Sequence, residues 1–140
     1  ALQQMWKVVV NVAVTVSNQE WKVYLDALKQ GKFQIGRRSW IGDYVDPNNF
    51  LDLFITGGGN NHTGFADPKY DELVLRQAPR AKSREQRHAI YHEAESRLLE
   101  QMPILQIYTY TSKHLFHPCV RGAPRNLMNS LYFKYVSLVP

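Results

Sequence analysis

"VVVNVAVTVSNQEWKVYLDALKQGKFQIGRRSW", residues 8–40, alternates between two rhythms of apolar residues, and that change of rhythm decides the fold class. Val8, Val10, Val12, Val14 and Val16 recur at period two, which predicts a strand over 8–16. Ser17 and Glu20 then have the spacing of a capping box. A helix is expected from Asn18 to Gln30, with Trp21, Tyr24, Leu25 and Leu28 inward and Gly31 ending it. Residues 32–40 read as a second strand. Strand, helix, strand is a crossover unit, which favours parallel pairing within one sheet. The class predicted is α/β.

Beyond this unit, Asp46-Pro47 and Asp67-Pro68 each pair a capping carboxylate with a proline suited to the first helical position. They predict a short helix to Phe54 and a longer one to Gln77, separated by a loop, "TGGGNNHTGF" (56–65). Pro79 interrupts the chain. Ser83 with Gln86 then opens a long helix to Gln101 that buries Ile90, Tyr91, Ala94 and Leu98. Residues 104–116 and 131–139 read as β structure, and no repeat or low-complexity tract is visible.

The chain has 140 residues, 44% of them hydrophobic and 12% aromatic, a globular composition with enough length for one core. Its formal net charge is +5, but the cations are scattered. The nearest thing to a basic run, "RAKSREQR" (80–87), contains a glutamate and reads as a solvated helix start, so nucleic acid is not the expected partner. Cys119 is the only cysteine, which excludes an internal disulfide and a cysteine-based zinc site. No apolar run approaches the roughly 20 residues of a spanning helix. "ALQQMWK" at the start lacks the order of a signal peptide, and the chain is expected to be a piece of something longer.

Several residues invite chemical readings. His88 and His92, four apart on a helix, could share a metal, but no third ligand is marked and a polar surface stripe accounts for them. "GGGNN" (57–61) lacks the lysine and hydroxyl of a phosphate loop and reads as a tight surface turn, with Asn60, Asn61 and His62 left as candidates to line a cleft. Asp43, Asp46 and His62 would make an acid–base set, but Asp46 is already explained as a cap and no nucleophile is in context, so no catalytic residue is assigned. Asp43 itself lies in "RRSWIGDYVDPNNFLDLF" (37–54), a charge among Trp40, Ile41, Gly42 and Tyr44. A carboxylate in apolar company needs a partner. Arg37 or Arg38 would serve, and so would a ligand ammonium group walled by Trp40 and Tyr44.

Four ordered stretches, "NQEWKVYLDALKQGKFQIGRRSWIGDYVDPNNFLDLF", "GNNHTGFADPKYDELV", "REQRHAIYHEAESRLLEQMPI" and "IYTY", resemble the C-terminal part of the extracytoplasmic oligopeptide-binding proteins of ABC importers, solute-binding protein family 5. The resemblance covers essentially the whole chain. It implies part of a two-lobed, type II periplasmic-binding-protein fold, a mixed sheet flanked by helices. Residues 1–110 would be the C-terminal half of the second large lobe, and 111–140 the return toward the first lobe and the hinge. The family's aspartate in "W-x-x-D-Y", which pairs with the α-ammonium of a bound peptide, is Asp43 here. Arg37 matches the arginine that meets the peptide's far carboxylate or backbone. Backbone around Ser39 to Gly42, including Ile41, would pair with the extended peptide, and Trp40 would wall a side-chain pocket. Tyr108 and Tyr110 match tyrosines near the cleft and hinge, with Tyr110 the expected contact of the two; alternating core residues of a strand would look the same. Gln106 stands where relatives commonly carry proline, Cys119 replaces an aromatic, and "WKVVVNVAV" is richer in valine than usual.

The function implied is capture of oligopeptides and their delivery to the membrane permease subunits of an ABC importer, with no cofactor, metal or catalysis. The location implied is the periplasm, or a membrane-anchored lipoprotein in a Gram-positive host. The fragment is expected to self-associate through apolar surface left bare. Alternatives are a relative tuned to dipeptides, nickel or another solute, and a basic standalone module for acidic partners.

Overall fold

Residues 18–30 follow the helical half of the expectation, and the valine-rich stretch before them does not follow the strand half. The structure is a computed structural model that describes residues 1–123 and 126–139. Its contacts divide the chain into two units, Ala1–Arg37 and Arg38–Pro140.

In the first unit, α1 (Leu2–Val10) takes up the first three valines of the predicted strand, and 12–16 are irregular with no ladder partner. A strand must find its hydrogen bonds on a neighbour, whereas a helix finds them within itself. Among the described residues no strand flanks this segment, so the local solution holds. Asn11 ends α1 in the left-handed conformation (φ 55°), and the N–H groups of Asn11 and Val12 both turn back to the Trp6 carbonyl. Helix α2 (Trp21–Lys29) starts three residues later than predicted, because Glu20, not Ser17, is the cap. The Glu20 carboxylate accepts the N–H groups of Lys22 (2.8 Å) and Val23 (3.2 Å). Gly31 ends the helix as expected, at φ 65°. Leu28 is the buried anchor, while Trp21, expected inward, is exposed. The second predicted strand (32–40) is irregular. It doubles back on α2 instead: Tyr24 Oη donates to the Arg37 carbonyl, and Gly36 lies against Leu28 and Phe33.

The second unit contains α3 (Asn48–Leu51), which runs on as a 3-10 turn (Asp52–Phe54), then α4 (Pro68–Glu72) and the long α5 (Arg84–Gln101). Between α4 and α5 the backbone widens into a π turn (Leu73–Gln77) and tightens into a 3-10 turn (Ala78–Arg80) that accommodates Pro79. Ser83 caps α5 by accepting Gln86 N–H (3.1 Å), and the Gln86 side chain reaches back to Lys82 N–H (2.7 Å), a reciprocal cap shifted by one residue.

The core joins Leu51, Phe65, Tyr70, Leu73, Val74 and Ala78 to Tyr91, Ala94 and Leu98 of α5, with Ile90 packed at its margin. Tyr70 is fully buried. Its hydroxyl donates to the Leu51 carbonyl (2.5 Å), which ties α4 to α3, and its ring meets Phe65 edge to face (5.3 Å). The region 104–116 is irregular and forms no ladder, contrary to its β reading. In the tail, Phe133–Tyr135 form a 3-10 turn, and β2 (Ser137–Leu138) pairs antiparallel with β1 (Val120–Arg121). That antiparallel pair is the only sheet among the described residues, so the parallel pairing inferred from the crossover pattern is not formed by them. Gly122 permits the tail to close: a Cβ there would stand 1.8 Å from the Tyr135 carbonyl oxygen.

Asp67 shows what locks α4 to α5. One carboxylate oxygen accepts the N–H groups of Lys69 (2.8 Å) and Tyr70 (3.1 Å). The other accepts Arg97 Nη2 (2.6 Å), Arg97 Nε (3.0 Å) and Gln101 Nε2 (2.6 Å). Burial pushes this carboxyl up, but the donors from Tyr70, Arg97, Lys69 and Gln101 outweigh it and hold it below the ordinary aspartate value. A carboxyl lowered on folding stabilises the folded state above the unfolded pKa and loses that effect as pH falls through the folded one. Asp67→Asn, which still caps, is therefore expected to cost about 1–3 kcal/mol at neutral pH, a cost that shrinks as the pH falls through the lowered folded-state value. Urea unfolding of both proteins across pH checks it. A cost that persists unchanged in acid would assign Asp67 a purely steric role.

Candidate functional site

The loop between Arg38 and α3 is organised from below by a residue with no obvious place in a sequence motif. Asn49, in the first turn of α3, is only 2% exposed. Its side-chain carbonyl accepts Trp40 Nε1–H (2.7 Å) and the backbone N–H of Asp43 (3.2 Å). One buried oxygen thus fixes both the aromatic and the acidic member of "WIGDY". Sequence reading placed Asn49 in a helix and went no further. The available signal was an indole N–H nearby that needs an acceptor when half-buried.

Asp43 itself is exposed, as is Ile41, while Trp40 and Gly42 are half-buried. The Phe50 ring lies beside Gly42, so close that an added Cβ would touch it at 3.4 Å. Asp52, also missed from sequence, shares the electrostatics of the loop. Burial first, and then the Asp43 charge, push its carboxyl above the ordinary value.

Asp46 faces a different direction. Pro47 already has helical angles (φ −56°, ψ −29°), so Asp46 caps as expected, accepting Asn48 N–H at 2.9 Å. Its two oxygens also take Arg87 of α5, at 2.6 Å from Nη1 and 2.9 Å from Nη2. Burial raises this carboxyl, and the Asn48 N–H with the Arg87 and His88 charges lower it further, for a net depression. Arg87 continues to the Tyr91 hydroxyl (2.8 Å), and Asn48 Nδ2 donates to the Tyr44 hydroxyl (3.2 Å). Asp46 is thus a strut between the loop and α5. With both oxygens engaged it is no base, and the acid–base set with Asp43 and His62 loses its middle member.

The other candidates separate. Arg37 belongs to the first unit, where its carbonyl receives Tyr24. Tyr108 and Tyr110 stand two apart on the irregular segment 104–116, both exposed, with rings in T-shaped contact at 4.7 Å. Asn61, a candidate cleft residue, is structural. Its Nδ2 donates to the carbonyls of Phe54 (3.2 Å), Ile55 (3.1 Å) and Phe65 (2.8 Å), so it pins the glycine loop. Gly57 provides that loop's left-handed turn (φ 70°). His88 and His92 are exposed on α5, and among the described residues no three His, Cys, Asp or Glu side chains are placed to share a metal.

What the loop offers is one accessible carboxylate on a braced backbone beside an indole. Comparison with known proteins puts this arrangement in context. Residues 1–62 match the family model "Bacterial extracellular solute-binding proteins, family 5 Middle". The chain is 42% identical over 126 residues to the periplasmic murein peptide-binding protein MppA of Escherichia coli (strain K12), covering 90% of this chain and 23% of that protein. It is 37% identical over 135 residues to the oligopeptide-binding protein OppA of Bacillus subtilis (strain 168), covering 96% and 25%. Among solved structures, Haemophilus influenzae OppA in complex with RPPGFSPFR superposes with a TM-score of 0.83 at 28% identity, covering 99% of this chain and 27% of that one. The chain spans about a quarter of the length of the curated relatives it matches. In sequence over nearly its whole length, and in its α/β fold, this chain matches the bacterial extracellular solute-binding proteins of family 5.

Proposed function

We propose that this chain supplies one wall of a peptide-binding cleft in a two-lobed, non-enzymatic solute-binding protein that hands oligopeptides to the permease subunits of an ABC importer. Residues 1–110 belong to the second large lobe, and 111–140 return toward the first lobe and the hinge. Asp43 receives the peptide's α-ammonium. Backbone of Ser39, Trp40, Ile41 and Gly42 pairs with the extended ligand, and the Trp40 ring walls a side-chain pocket. Arg37 meets the far carboxylate or backbone, and Tyr110, with Tyr108 beside it, flanks the cleft near the hinge. The work is done outside the cytoplasmic membrane, in the periplasm or on a lipoprotein anchor.

The observation that carries this reading is the bracing of Trp40 and Asp43 on Asn49, which leaves the Asp43 carboxylate accessible. An accessible negative charge on a backbone braced together with an indole suits an ammonium group flanked by apolar matter. Both named relatives and the solved complex are peptide-binding proteins by description. The test is calorimetry of a full-length protein carrying this chain, titrated with tri- to pentapeptides, dipeptides and Ni²⁺. Tri- to pentapeptides are expected to bind at least about tenfold (1.4 kcal/mol) more tightly than the other two. Preference for nickel, or binding that collapses steeply with added salt, would replace the peptide reading with one of its rivals.

A further inference from the structure

Nothing in the motif "W-x-x-D-Y" explains what holds the Trp40 ring and the Asp43 backbone in relation to each other. Loops between elements are mobile by default, and the Asp43 carboxylate has solvent around it. A loose carboxylate would have to lose side-chain and backbone freedom each time a ligand arrived, and that loss subtracts from affinity. The loop reduces the backbone part of this loss through one atom. Asn49 Oδ1, buried in the first turn of α3, accepts both Trp40 Nε1–H and Asp43 N–H. Asn49 is in turn held by its own N–H on the Asp46 carbonyl (3.1 Å), and Asp46 is clamped to α5 by Arg87. These contacts connect the loop to α5 through Asn49 and Asp46.

We infer that Asn49 is the positioning residue of the ligand site: it touches no ligand, but it sets the Asp43 backbone and the Trp40 ring so that the carboxylate and the indole face one amine together. This rests on the reading of Asp43 as the amine's partner. Asparagine suits the position because its carbonyl has two acceptor sites and no charge. Aspartate there would add a third carboxylate beside Asp43 and Asp52. Leucine has the same reach and no acceptor, so two N–H groups would lose their partner.

The experiment uses the full-length protein and four titrations: wild type and Asn49→Leu, each with one tripeptide and its N-acetylated form. The free-amine peptide is expected to bind Asn49→Leu about 10- to 100-fold more weakly than wild type, the range seen when an outer-shell partner of a binding group is removed. The acetylated peptide, which does not use the carboxylate, should bind both proteins within about threefold. The Trp40 indole N–H, assigned through Trp40→Phe, should exchange with solvent faster in the variant. If Asn49→Leu does not fold, Asn49→Ala is read by the same criteria. Equal losses for both peptide forms, or no loss, or an unchanged indole exchange rate, overturn the assignment of Asn49. A wild type that does not distinguish the two peptide forms overturns the reading of Asp43 instead, and Asn49's role with it.

Discussion

Asp43→Asn in the full-length protein is expected to weaken binding of free-amine peptides by about 30- to 4,000-fold, the equivalent of roughly 2–5 kcal/mol. Asparagine keeps the size of the side chain and the backbone N–H on Asn49, and it removes only the charge. A closed cleft desolvates the ligand's ammonium, and an ammonium taken from water without a counter-charge is expensive. Asp46→Asn is the control, three residues away with the same atoms exchanged. Asparagine caps a helix about as well as aspartate, so the bond to Asn48 N–H survives. The bidentate pair with Arg87 loses its charge, but both partners are partly exposed, so the expected cost is about 1 kcal/mol or less and falls on stability. Calorimetry for affinity and urea titration for stability separate the two substitutions cleanly. Comparable losses of affinity from both would take Asp43 out of the site.

The helical part of the fold was legible because helices are written locally. Asp67-Pro68 opens α4, Ser83 with Gln86 opens α5, and Tyr91, Ala94 and Leu98 line its buried face as their spacing predicts. The strands were not, because a strand is completed by neighbours that its own sequence does not contain. Val8 to Val16 alternate as a strand does, yet 8–10 are helical and the rest lack a ladder. The chain spans about a quarter of the length of its relatives, and the pairing partners of such a segment need not lie within that quarter. Residues 32–40 and 104–116 show the same failure for the same reason. The tail succeeded in part, since β2 finds β1 only 16 residues back, across Gly122.

The site divides along a similar line. Asp43 and Trp40 announce themselves, as charge and indole in one short stretch. Asn49 and Asp52 do not, because their importance depends on what lies above them in space. Asn49 acts through an oxygen that meets atoms six and nine residues away. Asp46 read correctly as a cap, but its partner Arg87 is 41 residues distant and belongs to a helix whose register the capping signal alone does not set. Asn61 was one of three candidates to line a cleft. Three carbonyls converge on its amide, and the loop depends on it.

Changing the ligand in place of the protein gives the second large effect. A full-length protein carrying this chain is expected to bind many peptide sequences with similar affinity and to reject their N-acetylated forms by several kcal/mol, about 2–5. On the proposed reading, strand-like pairing through Ser39 to Gly42 would use the peptide backbone, which all sequences share, so side chains would be read loosely. The amine would be read strictly, because on that reading a single carboxylate faces it. Acetylation removes the positive charge, adds bulk, and leaves Asp43 desolvated against an amide. Bulk and charge are separable by a cycle. In Asp43→Asn no charge waits for a partner, so acetylation should then cost only its steric part, about 1 kcal/mol or less. Wild type and Asp43→Asn are each titrated with both peptide forms, and the coupling between the two changes is expected to exceed about 1.5 kcal/mol. If acetylation costs the same in both proteins, the amine is held elsewhere and the carboxylate at Asp43 serves some other end. If it costs nothing in wild type, the cleft does not select for a free amino terminus, and the braced indole and carboxylate must be explained by a different solute.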